Sequence, residues 1–339
     1  MWWENYNLTR EPNFTVHPLS RDNLKLFVKC SDNHLNDKVF QRLNNPENFY
    51  HKVFAVLGEF GSGKTTLINY LSENLCEKFN ILYIKVNLRP IDHIKNIQNM
   101  RNFVLSELYS KFFQNADLRN LSIKDKISLE DKIDQILNIL SPKYDGFLIF
   151  IDELHRITEY EYVLNFFKYE QGFFEDLISK YNLFFIVSGR EEWTERLNLP
   201  DYGGIFTEII HLPNWSHYPN NAYELIEKRL IEVANTPDNF EMPIAFDAIK
   251  ILLTTIKNPR DILKSIKDLF EKTSGEKIDS SSLMTISSVV SNRQLDVIKD
   301  WLRSPNYEPA YKRFKRFVGK KPIDIENKIY KILNYILKF

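Results

Sequence analysis

The stretch VFAVLGEFGSGKTTLINYL, residues 53–71, runs from an apolar block through a glycine-rich block into an amphipathic one. Val53 to Leu57 are all apolar, which reads as a buried strand. Leu67, Ile68, Leu71, Leu75 and Phe79 follow with helical spacing. Between them, residues 58–65 (GEFGSGKT) fit G-x-x-x-x-G-K-[ST], and strand, loop and helix come in the order that this P-loop pattern needs. Gly58, Gly61 and Gly63 let the backbone turn so that successive N–H groups face inward. The helix start adds partial positive charge where phosphates would lie. Gly58, Gly61, Ser62, Gly63, Lys64, Thr65 and Thr66 are therefore the expected nucleotide-holding residues. Lys64 is expected to bridge the β- and γ-phosphates of ATP, and the Thr65 hydroxyl to ligate Mg2+.

A P-loop also needs a carboxylate for the metal and a base for water. GFLIFIDELHR, residues 146–156, offers an apolar strand ending in Asp152 and Glu153. Asp152 is expected to hold Mg2+, directly or through water, and Glu153 to orient and deprotonate the attacking water. Without the loop upstream, two acids after a buried strand would read as ordinary surface residues.

With 339 residues and 43% hydrophobic content, the chain is long enough for two or three domains and can bury real cores. Its formal charge is zero, so any nucleic-acid surface must be local. Two cysteines, Cys30 and Cys76, cannot make a zinc site and read as reduced thiols. The seven histidines show no metal-ligand spacing, so no metal beyond Mg2+ is implied. The opening residues MWWENYNLTREPNF lack a basic region followed by an apolar one, and no window approaches a membrane span. A cytoplasmic protein with no membrane partner is the expectation.

Three further positions narrow the class. ILYIKVNLRP (81–90) reads as a strand with Asn87 at its end, and LFFIVSGR (183–190) as a strand with Ser188 at its tip. KNPRDILKSIKDLF (257–270) opens a late amphipathic helix with Arg260 in its first turn. In this order the motifs resemble the AAA+ ATPases, in particular the clade of replication initiators, their archaeal relatives and transposition regulators. The resemblance spans roughly residues 10–275. It implies an α/β fold, with a parallel sheet flanked by helices, an α-helical lid, and a small, mainly helical C-terminal segment. It also implies roles. Asn87 would couple the catalytic glutamate to ligand binding, Ser188 would position the water, and Arg260 would reach the γ-phosphate from the lid. The physical sense of the last is that a guanidinium on a separate unit closes only on triphosphate. Strand-end capping is the plain alternative for Asn87 and Ser188, and a solvated first-turn residue for Arg260.

Two departures from the family pattern stand out. Lys29 and Cys30 occupy positions where glycine and arginine are expected beside the adenine, so no base-reading residue is assigned. Where an arginine finger is expected, the chain reads LPDYGGIFTEIIHL, with Gly203 and Gly204. Arg190 and Arg196 are the nearest substitutes. Arg196 is taken as the candidate finger, against simple surface charge. Without a finger, hydrolysis is expected to be slow or partner-stimulated.

Asp152-Glu-Leu-His155 also spells a helicase motif, but the residues after 213 show helical patterns and no second parallel-sheet series. His155 reads instead as the start of the next helix. The long helical stretch 92–140 reads mostly as cover for the sheet, and the aromatic run EYVLNFFKYEQGFFEDLISKY as core packing.

The expected organisation is a leading segment over 1–45, an ATPase core over 46–213, a helical lid over 214–275 and a basic C-terminal segment over 276–339. In the last, Lys312, Arg313, Lys315, Arg316, Lys320 and Lys321 surround Tyr311, Phe314 and Phe317. Basic residues interleaved with aromatics suit a phosphate backbone, in a reduced winged-helix-like element, and these six are the expected DNA contacts. A solvated basic face is the alternative. The function expected is an ATPase that couples nucleotide state to assembly on DNA or to recruitment of a DNA-processing partner, with self-association. The alternative is an ATP-dependent switch acting on a protein partner without DNA.

Overall fold

The computed structural model describes residues 1–14, 17–28, 53–88, 96–116, 127–154, 160–199, 206–273 and 275–280. The expected basic cluster, Lys29, Cys30, His155, Gly203 and Gly204 lie outside these residues.

Among these residues, five strands form one parallel sheet: β1 (Val53–Leu57), β2 (Ile81–Asn87), β3 (Gly146–Asp152), β4 (Leu183–Gly189) and β5 (Phe206–His211). Their order across the sheet is β2-β3-β4-β1-β5, and every pairing is parallel. β1 sits between β4 and β5, so the chain leaving β1 emerges inside the sheet and not at an edge. β3 and β4 are buried along their whole length, as their unbroken apolar runs require when both faces of a sheet are covered.

Strand alternation divides the side chains between two layers. Val53, Ala55 and Leu57 of β1 and Phe147, Ile149 and Ile151 of β3 enter one core cluster. Four helices cover it: α2 (Ile97–Asn115), α3 (Leu129–Leu140), α4 (Tyr160–Tyr169) and α5 (Gln171–Tyr181). Phe54 and Val56, with Leu148 and Phe150, face α1 (Lys64–Phe79) on the other side. Helices α2 and α3 thus cover the sheet as expected of the stretch 92–140. The aromatic run packs inward too, with Phe166, Phe167 and Phe174 buried and Phe174 edge-on to Phe185 at 4.7 Å.

After the short turn α6 (Thr194–Leu197) and β5, three helices build a separate apolar cluster: α7 (Pro219–Ile231), α8 (Phe246–Leu253) and α9 (Pro259–Thr273). The N-terminal residues join this cluster and not the sheet. Thr9 N–H donates to Val233 O at 2.7 Å, and Asn235 N–H donates to Asn7 O at 3.1 Å. Phe270 is fully buried beneath Trp2, Tyr6 and Phe14, with ring centroids 5.9, 4.8 and 6.1 Å away.

Because Phe270 carries three aromatic neighbours from the far end of the chain, Phe270→Ala is expected to cost about 3–5 kcal/mol. It should also free the N-terminal residues to proteases. Urea denaturation and limited proteolysis check both, and a loss below about 1 kcal/mol would contradict the packing.

Candidate functional site

The site lies where β1, β3 and β4 end together. Leu57 leads into the loop, and α1 begins at Lys64 behind Gly63, whose φ is +96°. Among the described residues no side chain caps α1, so its first N–H groups face the loop. Gly61 also takes positive φ, +82°. Gly58 does not, and its reason is steric: a Cβ there would stand 2.9 Å from Ser62 Oγ.

Lys64 curls over the loop. Its Nζ donates to Gly58 O at 2.8 Å and to Glu59 O at 2.9 Å. Burial pulls its pKa down to about 8, against the opposing pull of Asp152 and Glu59, and Arg190 and Arg260 lower it further. The charges of Arg190 and Arg260 thus act at Lys64, a local excess of positive charge that favours an anion.

Arg260 arrives from the three-helix cluster. Asn258 caps α9: its Oδ1 accepts from Asp261 N–H at 3.0 Å, with Pro259 in the first turn. That cap sets Arg260 against the loop. Its N–H lies 3.4 Å from Gly61 O, and its guanidinium sits 4.2 Å above the exposed ring of Phe60. Among the described residues its buried Nε has no hydrogen-bond partner. Buried polar atoms are nearly always satisfied, so an orphan at this local excess of positive charge fits a phosphate oxygen.

Asp152 is 4% exposed at the end of β3. Thr65 Oγ1 donates to its Oδ2 at 3.1 Å, and Ser188 Oγ donates to its Oδ1 at 2.5 Å. Lys85 Nζ lies 2.8 Å from Oδ2. The Ser188 hydroxyl also accepts from Glu153 N–H at 3.1 Å, so one side chain fixes both acids. Glu153 itself takes φ of +68°, a left-handed backbone that costs a non-glycine residue of order 1–3 kcal/mol and gathers at functional sites. Asn87 pairs in register with Asp152 across β2 and β3.

The structure therefore gathers Lys64, Thr65, Asp152, Glu153, Ser188, Asn87 and Arg260 around one loop. Ser62 is buried against it. Thr66 turns aside and accepts from Leu19 N–H at 3.3 Å. Arg190 and Arg196 part company: Arg190 follows β4 directly and its charge acts on Lys64, whereas Arg196 sits exposed on α6. Two residues escaped the sequence reading. Lys85 stood out only as a lone charge in an apolar strand, and Phe60 only as a variable position of the loop pattern. The residues described contain no group of three or more His, Cys, Asp or Glu able to hold a metal alone, nor any helix long and apolar enough to cross a membrane.

A family model described as an AAA domain matches residues 47–197. Among solved structures, the ORC1 protein of Aeropyrum pernix in complex with DNA is similar, with a TM-score of 0.50 at 13% identity. The alignment covers 80% of this chain and 70% of that one. The ORC2 protein of the same organism, in its ADPNP–ADP complexes, gives 0.51 at 14% identity over 83% of this chain and 69% of that one. At such identity the likeness is one of fold. No curated protein matches the sequence.

The two positive-φ glycines should respond differently to a methyl group. In Gly63→Ala the new Cβ meets no atom of the described residues within 4 Å, so the loss should be the backbone strain alone, about 1–2 kcal/mol. Gly61→Ala adds collisions with Asn258 Oδ1 at 2.7 Å and Arg260 Cβ at 2.9 Å, and should lose more. Denaturation of the two variants side by side tests the order. Equal losses would mean that α9 does not press on the loop.

Proposed function

Starting from a chain that has the AAA+ P-loop ATPase fold and resembles the replication initiators, we propose that it binds ATP with Mg2+ and hydrolyses it. The nucleotide state then governs assembly on DNA or recruitment of a DNA-processing partner. The observation that carries the ATPase reading is the contact between Thr65 and Asp152. A hydroxyl on the first turn of α1 lies 3.1 Å from a buried carboxylate 87 residues away in sequence. Glu153 is held beside them through Ser188.

In this reading the N–H groups at the start of α1 and the Lys64 ammonium hold the phosphates. Thr65 and Asp152 are the metal-holding pair, and Mg2+, when bound, supplies positive charge that polarises the phosphoryl oxygens. Glu153 orients the attacking water and accepts its proton, while Ser188 and Asn87 keep it in place. Arg260 satisfies its orphaned Nε on the triphosphate, so that α7–α9 serve as a lid over residues 214–275 on a core spanning 46–213. Arg190 supports the phosphates from β4. Arg196, exposed on its turn, is the group suited to act on a neighbouring copy.

Support for DNA comes from the basic, aromatic-rich stretch 311–321 within the C-terminal segment 276–339. One protein of similar fold was also solved in complex with DNA. The same reading makes this a cytoplasmic, self-associating protein.

Lys64→Ala is expected to abolish binding of a fluorescent ATP analogue. Glu153→Gln should bind it normally and release phosphate about 10²–10⁴-fold more slowly. A Glu153→Gln variant that turns over ATP at the wild-type rate would remove Glu153 from the mechanism.

Duplex DNA binding should require ATP and weaken steeply with salt. Neutralising Lys312, Arg313, Lys315 and Arg316 together should reduce the slope of log K against log salt by about 3–4. Tight ATP binding with no DNA binding would transfer the role to a protein partner.

A further inference from the structure

Asp152 carries three protein partners at the place where a metal would also have to bind. Ser188 takes Oδ1 at 2.5 Å, and Lys85 and Thr65 both take Oδ2, at 2.8 and 3.1 Å. Lys85 is the odd member, because neither the loop pattern nor the strand-end acids call for it. It stands in ILYIKVN, the sequence of β2, where Tyr83, Lys85 and Asn87 alternate onto one face. The register Lys85↔Phe150 and Asn87↔Asp152 places Lys85 beside β3, two residues before the carboxylate. Its ammonium lies 5.1 Å from the Phe150 ring centroid and ends on Asp152. The carboxylate is nearly buried, whereas the Lys85 side chain is 31% exposed, so part of it already borders water.

We propose that Lys85 is a tethered cation that holds the Asp152 carboxylate until a divalent metal takes it, and that metal binding must expel it. This rests on the ATP and Mg2+ reading above and deepens it. Two cations cannot share Oδ2 of one buried carboxylate with Thr65 without repelling each other, so the stronger charge displaces the weaker. The consequence is a threshold. Lys85 keeps Asp152 compensated, which prevents the cost of an unpaired buried charge, and it raises the metal concentration at which the site loads. Lys85 is a positioning residue here, since it acts through Asp152.

The test uses the full chain and Mn2+ as the probe, read by the loss of the free-ion paramagnetic resonance signal, with and without a non-hydrolysable ATP analogue. Lys85→Met keeps the stem and removes the charge, and its Mn2+ half-saturation should fall about tenfold, the ratio that one charge-assisted hydrogen bond amounts to. Lys85→Arg keeps the charge, and should bind Mn2+ no more tightly than wild type. In the wild type, acetylation of Lys85 followed by mass spectrometry should increase when Mn2+ is added. Thermal melting without metal supplies the folding control: Lys85→Met should lower Tm, and combining it with Asp152→Asn should restore the Tm of Asp152→Asn alone. An unchanged or higher Mn2+ half-saturation in Lys85→Met overturns the proposal, as does a Lys85 amine whose reactivity ignores the metal. Because the Mn2+-alone titration needs no nucleotide, a wild type that fails to bind the analogue would sink the ATP reading and leave this one to its own result.

Discussion

A carboxylate buried at the end of a strand governs the arrangement of everything around it. Asp152 has almost no access to solvent, and an ionised group in that position is tolerable only if its oxygens are satisfied by protein. The fold meets that demand from three elements at once: the first turn of α1 through Thr65, β4 through Ser188, and β2 through Lys85. These are the elements that a phosphate site needs to bring together. Satisfying one buried charge thus brings the loop, the strand-end acids and the hydroxyl of β4 into a single constellation before any ligand contributes.

The same logic explains the strain at Glu153. Its N–H must reach the Ser188 hydroxyl, and the backbone accepts a left-handed conformation to make that bond. A relaxed backbone at this position would give up the link between the two acids. Charges of both signs act on Lys64: Asp152 and Glu59 raise its pKa, Arg190 and Arg260 lower it, and burial, the largest cause, pulls it down to about 8. The start of α1 beside it favours an anion.

What the sequence disclosed follows from how local each feature is. The loop pattern, the apolar strand ending in Asp152 and Glu153, and the Asn258-Pro259-Arg260 helix start are all written in consecutive residues. Their geometry is set by hydrogen bonds spanning a few positions, such as the Asp261 N–H to Asn258 Oδ1 cap. Lys85 was illegible for the opposite reason. Its partner is fixed by the register of β2 on β3, and no spacing within ILYIKVN reveals which carboxylate the ammonium will meet. The N-terminal residues are a second case. Trp2, Tyr6 and Phe14 look like scattered aromatics until Phe270, more than 250 residues later, provides the surface they cover. Long-range packing of this kind leaves no periodic trace in either segment.

That N-terminal packing has a mechanical consequence for the site. Residues 19–28 run from α1 to α7. Leu19 contacts Thr66 and Asn69 of α1, and the Leu26 and Phe27 carbonyls accept from Arg229 and Lys228 of α7. The Arg229 guanidinium is buried in this contact, and desolvation pulls its pKa down to about 10. A charged group buried against carbonyls is costly to detach, so the link is a stiff one. The three-helix cluster therefore touches the loop helix by two routes: directly, where Arg260 presses on Gly61, and indirectly, through the strand of chain tied to Thr66. Arg260 reaches the glycine loop at Gly61, while residues 19–28 tie α7 to α1 at Thr66 and Asn69, so the unit that carries Arg260 is joined both to the loop and to the helix that follows it.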